Sequence, residues 1–295
     1  MTGDSDRLID PADPDQLARL LRRHRIDLKH RLGQNFLVDP AVRDRIADAA
    51  GVAAPDEVLE VGAGAGTLTL ALARRCRRLV AVELDHRLVP VLREVLAGRD
   101  NVEVVEADIL AFDVRAAFPA GGEVVAGNIP YHLTGALIRK LLDPPAPRPR
   151  RLSLVVQKEV ADRWTAQGGA SLATVAVQVY AEARIAFTIP ASAFSPPPQV
   201  DSALVLLEVR EKPAVQVADM DAFFRLVEAA FQFRRKQLGG AMGRITGAGS
   251  EAAARRLSAA GIDPERRPQT LSLGEWEAVY REFGPDGGAR YLQSP

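Results

Sequence analysis

Cysteine occurs once in the 295 residues, at Cys76. One thiol forms no internal disulfide and builds no structural zinc site. A reducing cytoplasm suits such a chain. Long apolar runs are also missing: no segment approaches the ~18 residues of a membrane-spanning helix. The N-terminal "MTGDSDRLIDPADPDQ" is acidic and polar, without the basic-then-apolar order of a secretory signal. A cytoplasmic protein is expected. Net charge is the third absence, because 38 Lys and Arg balance 38 Asp and Glu. That balance argues against a uniformly cationic nucleic-acid binder.

The basic residues are instead clustered. Arg22, Arg23, Arg25, Lys29 and Arg31 crowd one segment; Arg148, Arg150 and Arg151 form a second group; Arg234, Arg235 and Lys236 form a third. Taken alone, each cluster reads as well as a solvated face as it does as a binding patch.

The length suits one large domain or two ordinary ones. A short helix is expected near Pro14–His24, then a basic loop, then a helix opened by Asp39-Pro40. A regular alternation follows. "EVLEV", "RLVAVEL", "VEVVEAD", "EVVAGN" and "RLSLVVQ" read as strands, with "TLTLALARRC", "HRLVPVLREVL", "TGALIRKLL" and "KEVADRW" as helices between and after them. This pattern predicts an α/β fold with a parallel sheet covered on both faces. "ARIAFTIP" and "VDSALVLLEV" read as two late strands. Strand signals stop near Pro213, and three amphipathic helical stretches follow. The expected division is an N-terminal helix and basic segment (1–30), an α/β domain (31–212) and a smaller all-helical domain (213–295).

Chemistry concentrates at the ends of the early strands. Gly62, Gly64 and Gly66 fill a strand-to-helix turn, where glycine permits positive φ and close approach of a ligand. Glu83 ends the next strand and can accept from a ribose diol. Asp108 ends the third and can accept from an adenine amine. The three together form a nucleoside cradle at the carboxyl edge of the sheet, fitting a nicotinamide dinucleotide or S-adenosylmethionine. The spacing is GxGxG, not GxGxxG, which favours S-adenosylmethionine without deciding the matter.

The fourth strand runs into Asn128-Ile129-Pro130-Tyr131. An exocyclic adenine amine is a poor nucleophile because its lone pair is delocalised into the ring. Two acceptors holding its N–H groups would orient the nitrogen. The Asn128 side-chain oxygen and a backbone carbonyl at Ile129 or Pro130 fit that need. Pro130 stiffens the turn, and Tyr131 can stack on an extruded base. No general base is required, so catalysis reduces to positioning and charge placement. Asn-x-Pro sequences are common in turns, and it is the cradle upstream that gives this one a chemical reading.

At this point the chain resembles the ribosomal RNA adenine dimethyltransferase family, most closely its bacterial small-subunit branch. "LGQNFL" (Leu32–Leu37), "VLEVGAGAGTLT", "NIPY" and "FSPPPQVDSAL" (Phe194–Leu204) resemble the family's ordered motifs, and "FQFRRKQL" resembles the start of its helical domain. The resemblance runs over about residues 13–283. It implies a class I methyltransferase fold, Rossmann-like, with a mostly parallel seven-stranded sheet. It implies S-adenosylmethionine held at Asn35, Leu37, Gly62, Gly64, Glu83, Asp108 and Asn128, with no metal. It implies a target base held between Tyr131 and Phe194, and two adjacent adenines of a terminal hairpin loop in 16S small-subunit RNA, each methylated twice. Arg234, Arg235 and Lys236 are the expected RNA contacts. A monomer acting on immature small subunits, with a role in their biogenesis, is expected.

Three other readings compete. The macrolide-resistance branch shares the cradle but methylates large-subunit RNA. A non-catalytic assembly or transcription factor uses the same fold. A nicotinamide oxidoreductase would use the glycine turn for a dinucleotide.

Overall fold

Asp-Pro steps open the first two helices. Asp13 and Asp39 each accept hydrogen bonds from backbone N–H groups two and three residues on. The following proline occupies the first turn, where a missing N–H costs nothing. The computed structural model describes residues 9–26, 35–129, 133–142, 148–166, 168 and 171–284. It begins with α1 (Pro14–Arg23), β1 (Phe36–Leu37) and α2 (Pro40–Ala49). The alternation then runs β2 (Glu57–Val61), α3 (Thr67–Ala73), β3 (Arg78–Glu83), α4 (Leu88–Val95), β4 (Val102–Glu106), α5 (Val114–Ala117), β5 (Val124–Asn128), α6 (Thr134–Leu142), β6 (Arg151–Gln157) and α7 (Lys158–Thr165). After α8 (Leu172–Tyr180) come β7 (Ala181–Ile189), β8 (Phe194–Ser195) and β9 (Ser202–Val209). The chain closes on α9 (Met220–Gln232), α10 (Leu238–Thr246), α11 (Ser250–Ala259) and α12 (Leu273–Phe283).

Seven strands form one sheet in the order β4-β3-β2-β5-β6-β9-β7. The first five are mutually parallel, and β9 runs antiparallel to β6. Strands β2, β3, β5 and β6 are buried along nearly their whole length, as strands covered on both faces must be. β2 lies between β3 and β5, so the chain leaves it first to one side and later to the other. Such a switch point opens a crevice at the carboxyl ends of the strands. Register aligns those ends: Val61 faces Val82, Glu83 faces Glu106, and Asn128 faces Val155. A separate two-stranded ladder pairs Phe36 with Ser195 and Leu37 with Phe194.

The chain divides into two compact units. One comprises Met1–Asp162 and Glu182–Val209; the other comprises Arg163–Ala181 and Arg210–Pro295. The helical unit therefore takes α8 from mid-chain as well as the C-terminal helices, where the sequence pattern suggests one boundary near Pro213. Its core is aromatic. Tyr180 stacks on Phe224, Phe223 meets Phe224 and Tyr280 edge-on, and Phe231 lies 5.8 Å from the buried Trp276. Ser272 and Glu275 close a reciprocal capping box at the start of α12. Among the described residues no helix is long and apolar enough to cross a membrane.

Candidate active site

The turn after β2 owes its shape to its glycines. Gly62, Gly64 and Gly66 have φ of 72°, 60° and 90°, a left-handed region costly for any residue with a Cβ. The turn folds the backbone back so that the Gly64 N–H donates to Glu83 Oε2 at 2.7 Å. The Asp85 N–H donates to Glu83 Oε1 at 2.8 Å. Glu83 thus ties the glycine turn to the end of β3. Burial pushes its carboxyl above the ordinary range, those two N–H donors pull it back, and the nearby Asp85 charge adds to the rise. Each oxygen keeps a further lone pair for a ligand. Asp85 is itself neutralised by Arg87, at 2.6 and 2.9 Å.

Asp108 lies two residues beyond the end of β4, where the sequence pattern places it on the strand. Its Oδ1 accepts from the Leu110 N–H at 2.9 Å, and Lys140 Nζ of α6 donates to the Leu110 carbonyl at 2.9 Å. Two apolar side chains flank this region. Ile109 is buried, whereas Leu84, directly after Glu83, is 58% exposed.

Asn128 ends β5. Its Nδ2 donates to the Asn35 carbonyl at 2.9 Å. That bond engages one of the two Nδ2 N–H groups and so fixes which way the amide lies, with Oδ1 as its acceptor end. Asn35 is brought there by the β1–β8 ladder, extended by the Val38 N–H to the Ala193 carbonyl at 2.9 Å. The same ladder sets Phe194, buried at 4% exposure, beside the hollow. Pro130 and Tyr131 lie outside the described residues, as do Lys29, Arg31 and Leu32–Gln34 of the N-terminal motif.

One hollow gathers these groups. Asn35, Leu37, Gly62, Gly64, Glu83, Asp108, Asn128, Ile129 and Phe194 all line it. Among the described residues its lining holds four carboxylates (Glu60, Glu83, Asp85 and Asp108) and no Lys, Arg or His. This acceptor-rich lining, in which Asp85 is already paired with Arg87, suits a cofactor carrying positive charge. It gives a pyrophosphate no counter-charge, which disfavours a dinucleotide. No group of His, Cys, Asp and Glu able to hold a metal occurs among the described residues.

The family model for ribosomal RNA adenine dimethylase matches residues 25–283. The chain belongs to that family. Among curated dimethylase-family relatives, the Ribosomal RNA small subunit methyltransferase A of Pelotomaculum thermopropionicum is 41% identical, over 94% of this chain and 98% of the relative. The protein of the same name from Geobacillus thermodenitrificans is 38% identical over the same shares. Of solved structures, a dimethyladenosine transferase from Plasmodium falciparum superposes with a TM-score of 0.68 at 25% identity, covering 85% of this chain and 98% of that one. The 23S rRNA methyltransferase ErmE gives 0.63 at 30%, covering 84% and 98%. The dimethylase fold is a class I methyltransferase fold, and the family implies ribosomal RNA as substrate and S-adenosylmethionine as methyl donor.

Arg234, Arg235 and Lys236 are not part of the hollow. They follow α9 in the helical unit and are exposed. Arg234 and Arg235 share a second depression with Arg163, Arg267, Gln269 and Thr270. The sequence pattern brings out neither Arg163 nor Arg267, because only folding gathers residues so far apart. The Arg148–Arg151 cluster is spent on structure: Arg150 pairs with Asp56, and Arg151 pairs with Glu208 and bonds the Ala50 carbonyl. Glu60, Leu84 and Ile109 are further lining residues that sequence reasoning passed over; an apolar residue directly after each strand-end acid, Glu83 and Asp108, was the available signal for Leu84 and Ile109.

Proposed function

We propose that this dimethylase transfers four methyl groups from S-adenosylmethionine to the N6 amines of two adjacent adenines, in the terminal hairpin loop of 16S small-subunit RNA. The observation that carries the reading is the committed amide of Asn128. An amide whose Nδ2 is already bonded presents an acceptor, and a target amine needs an acceptor.

The cofactor supplies an electrophilic methyl on a sulfonium. The chain's own groups do the rest by placement. Glu83 accepts from the ribose hydroxyls and Asp108 from the cofactor's adenine amine, with Leu84 and Ile109 as apolar faces for that ring. Gly62 and Gly64 allow close approach of the methionine end, and Asn35 and Leu37 cover it from the β1 side. Asn128 Oδ1 and the backbone oxygen of Ile129 or Pro130 hold the two N–H groups of the target amine. Tyr131 and Phe194 stack on the extruded base, an interaction worth roughly 1–3 kcal/mol per face. No side chain has to remove a proton before transfer, because the amine proton turns acidic once the methyl is bound and then passes to solvent. After one transfer the nitrogen keeps a single N–H, and one acceptor then suffices to hold it.

The arginine-lined depression of the helical unit supports RNA binding through phosphates. The near-full-length small-subunit relatives favour that subunit over the large-subunit substrate of ErmE. We place the enzyme in the cytoplasm as a monomer, acting on immature small subunits and delaying their late assembly until both adenines are modified. Mass spectrometry of small-subunit RNA incubated with protein and labelled cofactor tests the assignment. Two dimethyladenosines in one terminal loop are expected. Label in naked large-subunit RNA and none in the small subunit would reverse it.

A further inference from the structure

Phe194 is presented by the loop between β7 and β9. A single turn of 3₁₀-helix, Ala191–Ala193, leads directly into β8. Pro190 stands at its N-cap, and a proline side chain has no oxygen for the free N–H groups there. The missing cap comes from ten residues on: Asp201 Oδ1 accepts from the Ala191 N–H at 3.0 Å. Asp13 and Asp39 cap the helices that directly follow them. Asp201 instead reaches back across a whole loop and closes its base.

Asp201 is itself anchored to the sheet. It directly precedes β9, whose Ser202 is in register with Gln157 of β6. Its carbonyl accepts from the Lys158 N–H at 3.0 Å, at the start of α7. Pro196, Pro197 and Pro198 lie between Phe194 and this anchor, and their fixed φ stiffens that arm of the loop. The opposite side of the turn is held by β1: the Val38 N–H donates to the Ala193 carbonyl at 2.9 Å, and Phe194 pairs with Leu37. The Phe194 ring, buried against the hollow, is thus framed from two sides. Asp201 is exposed and does not line the hollow, so neither core packing nor ligand contact accounts for it.

We propose that Asp201 is a positioning residue for base methylation: by capping the turn before Phe194, it sets the aromatic face on which the extruded adenine stacks. This rests on the stacking role given to Phe194 above. The turn needs an acceptor and not a charge, so Asn serves there as well as Asp.

Single-turnover methylation of small-subunit particles, at saturating cofactor, tests the assignment in the whole protein. Asp201→Ala should slow the transfer by about five- to thirtyfold, the range that loss of a helix cap spans. Asp201→Asn should restore the rate to within twofold of the wild type. Affinity for S-adenosylmethionine should not change in either variant. Placed in a Phe194→Ala protein, Asp201→Ala should cost nothing further, whereas a general loss of folding would cost the same in both backgrounds. An equal cost in both backgrounds, an Asn variant as slow as the Ala variant, or an Asp201→Ala rate equal to the wild type overturns the inference and leaves the stacking reading intact. A Phe194→Ala protein with the wild-type rate overturns both.

Discussion

Asn128 has two chemically distinct ends, and the bond from Nδ2 to the Asn35 carbonyl fixes the orientation of the amide; in the proposed reaction Oδ1 is the end that meets the substrate. Replacing it with alanine removes the acceptor and the bond from Nδ2 to the Asn35 carbonyl. Loss of one fixed polar group aimed at the reacting centre typically costs about 10²–10³ in kcat. Asn128→Ala should therefore lose turnover by that factor and keep its affinity for small-subunit particles, which a filter-binding assay reads. A loss below tenfold would mean that the carboxamide does not hold the amine. Glu60, 1% exposed on β2, makes the complementary case, since burial shifts its titration. Its folded value lies above the ordinary carboxylate value of 4.5, at about 8. Its contribution to the stability of the empty protein is thus full below about pH 4.5 and lost as pH rises through about 8.

Elements bring such residues together, and the glycine next to the amide shows how little room they leave. A Cβ on Gly127 would lie 2.4 Å from the Val61 carbonyl oxygen of β2 and 3.0 Å from Ile129 Cδ1. Gly127→Ala must push β5 away from β2 at the crevice, at a cost of about 1–3 kcal/mol by analogy with overpacked cores. A melting temperature lower by several degrees is expected, with weaker cofactor binding. Gly274→Ala, in open space on α12, should not lower it. An unchanged melting temperature for Gly127→Ala would mean that the two strands are looser than they look.

The strands and glycine turn at this crevice were legible in sequence because their signals are local: apolar runs, a GxGxG turn, and acids at or just past the ends of the next two strands. The β1–β8 ladder was not, since two-residue strands carry no periodicity and their partners are far apart in the chain. The residues of α8, "LATVAVQVY", are rich in β-branched side chains that argue against a helix. Ser171 caps that helix and burial stabilises it, so packing overrides propensity. Glu60 was passed over for a different reason: "EVLEV" reads as a strand of a sheet covered on both faces, and nothing local marks which of its residues reaches the hollow.

At the scale of the whole molecule, a chain of zero net charge has to bind a polyanion. It can do so only if its charges are segregated. The structure separates them: the cofactor hollow is lined by acids, and a depression of the helical unit by Arg163, Arg234, Arg235 and Arg267. Arg234, Arg235 and Lys236 are exposed, so their substitution threatens no core. Each phosphate that a basic side chain neutralises releases condensed counterions, and affinity then falls with salt by a slope of about 0.7–0.9 per phosphate. Changing Arg234, Arg235 and Arg267 together to Gln should weaken binding to small-subunit particles. It should also flatten the plot of log affinity against log salt by about one unit for every phosphate no longer engaged. Because none of the three lines the cofactor hollow, affinity for S-adenosylmethionine should stay within twofold of the wild type. A triple variant with the wild-type salt slope would move the RNA-binding face elsewhere, and the basic residues flanking α1 would be the next to test.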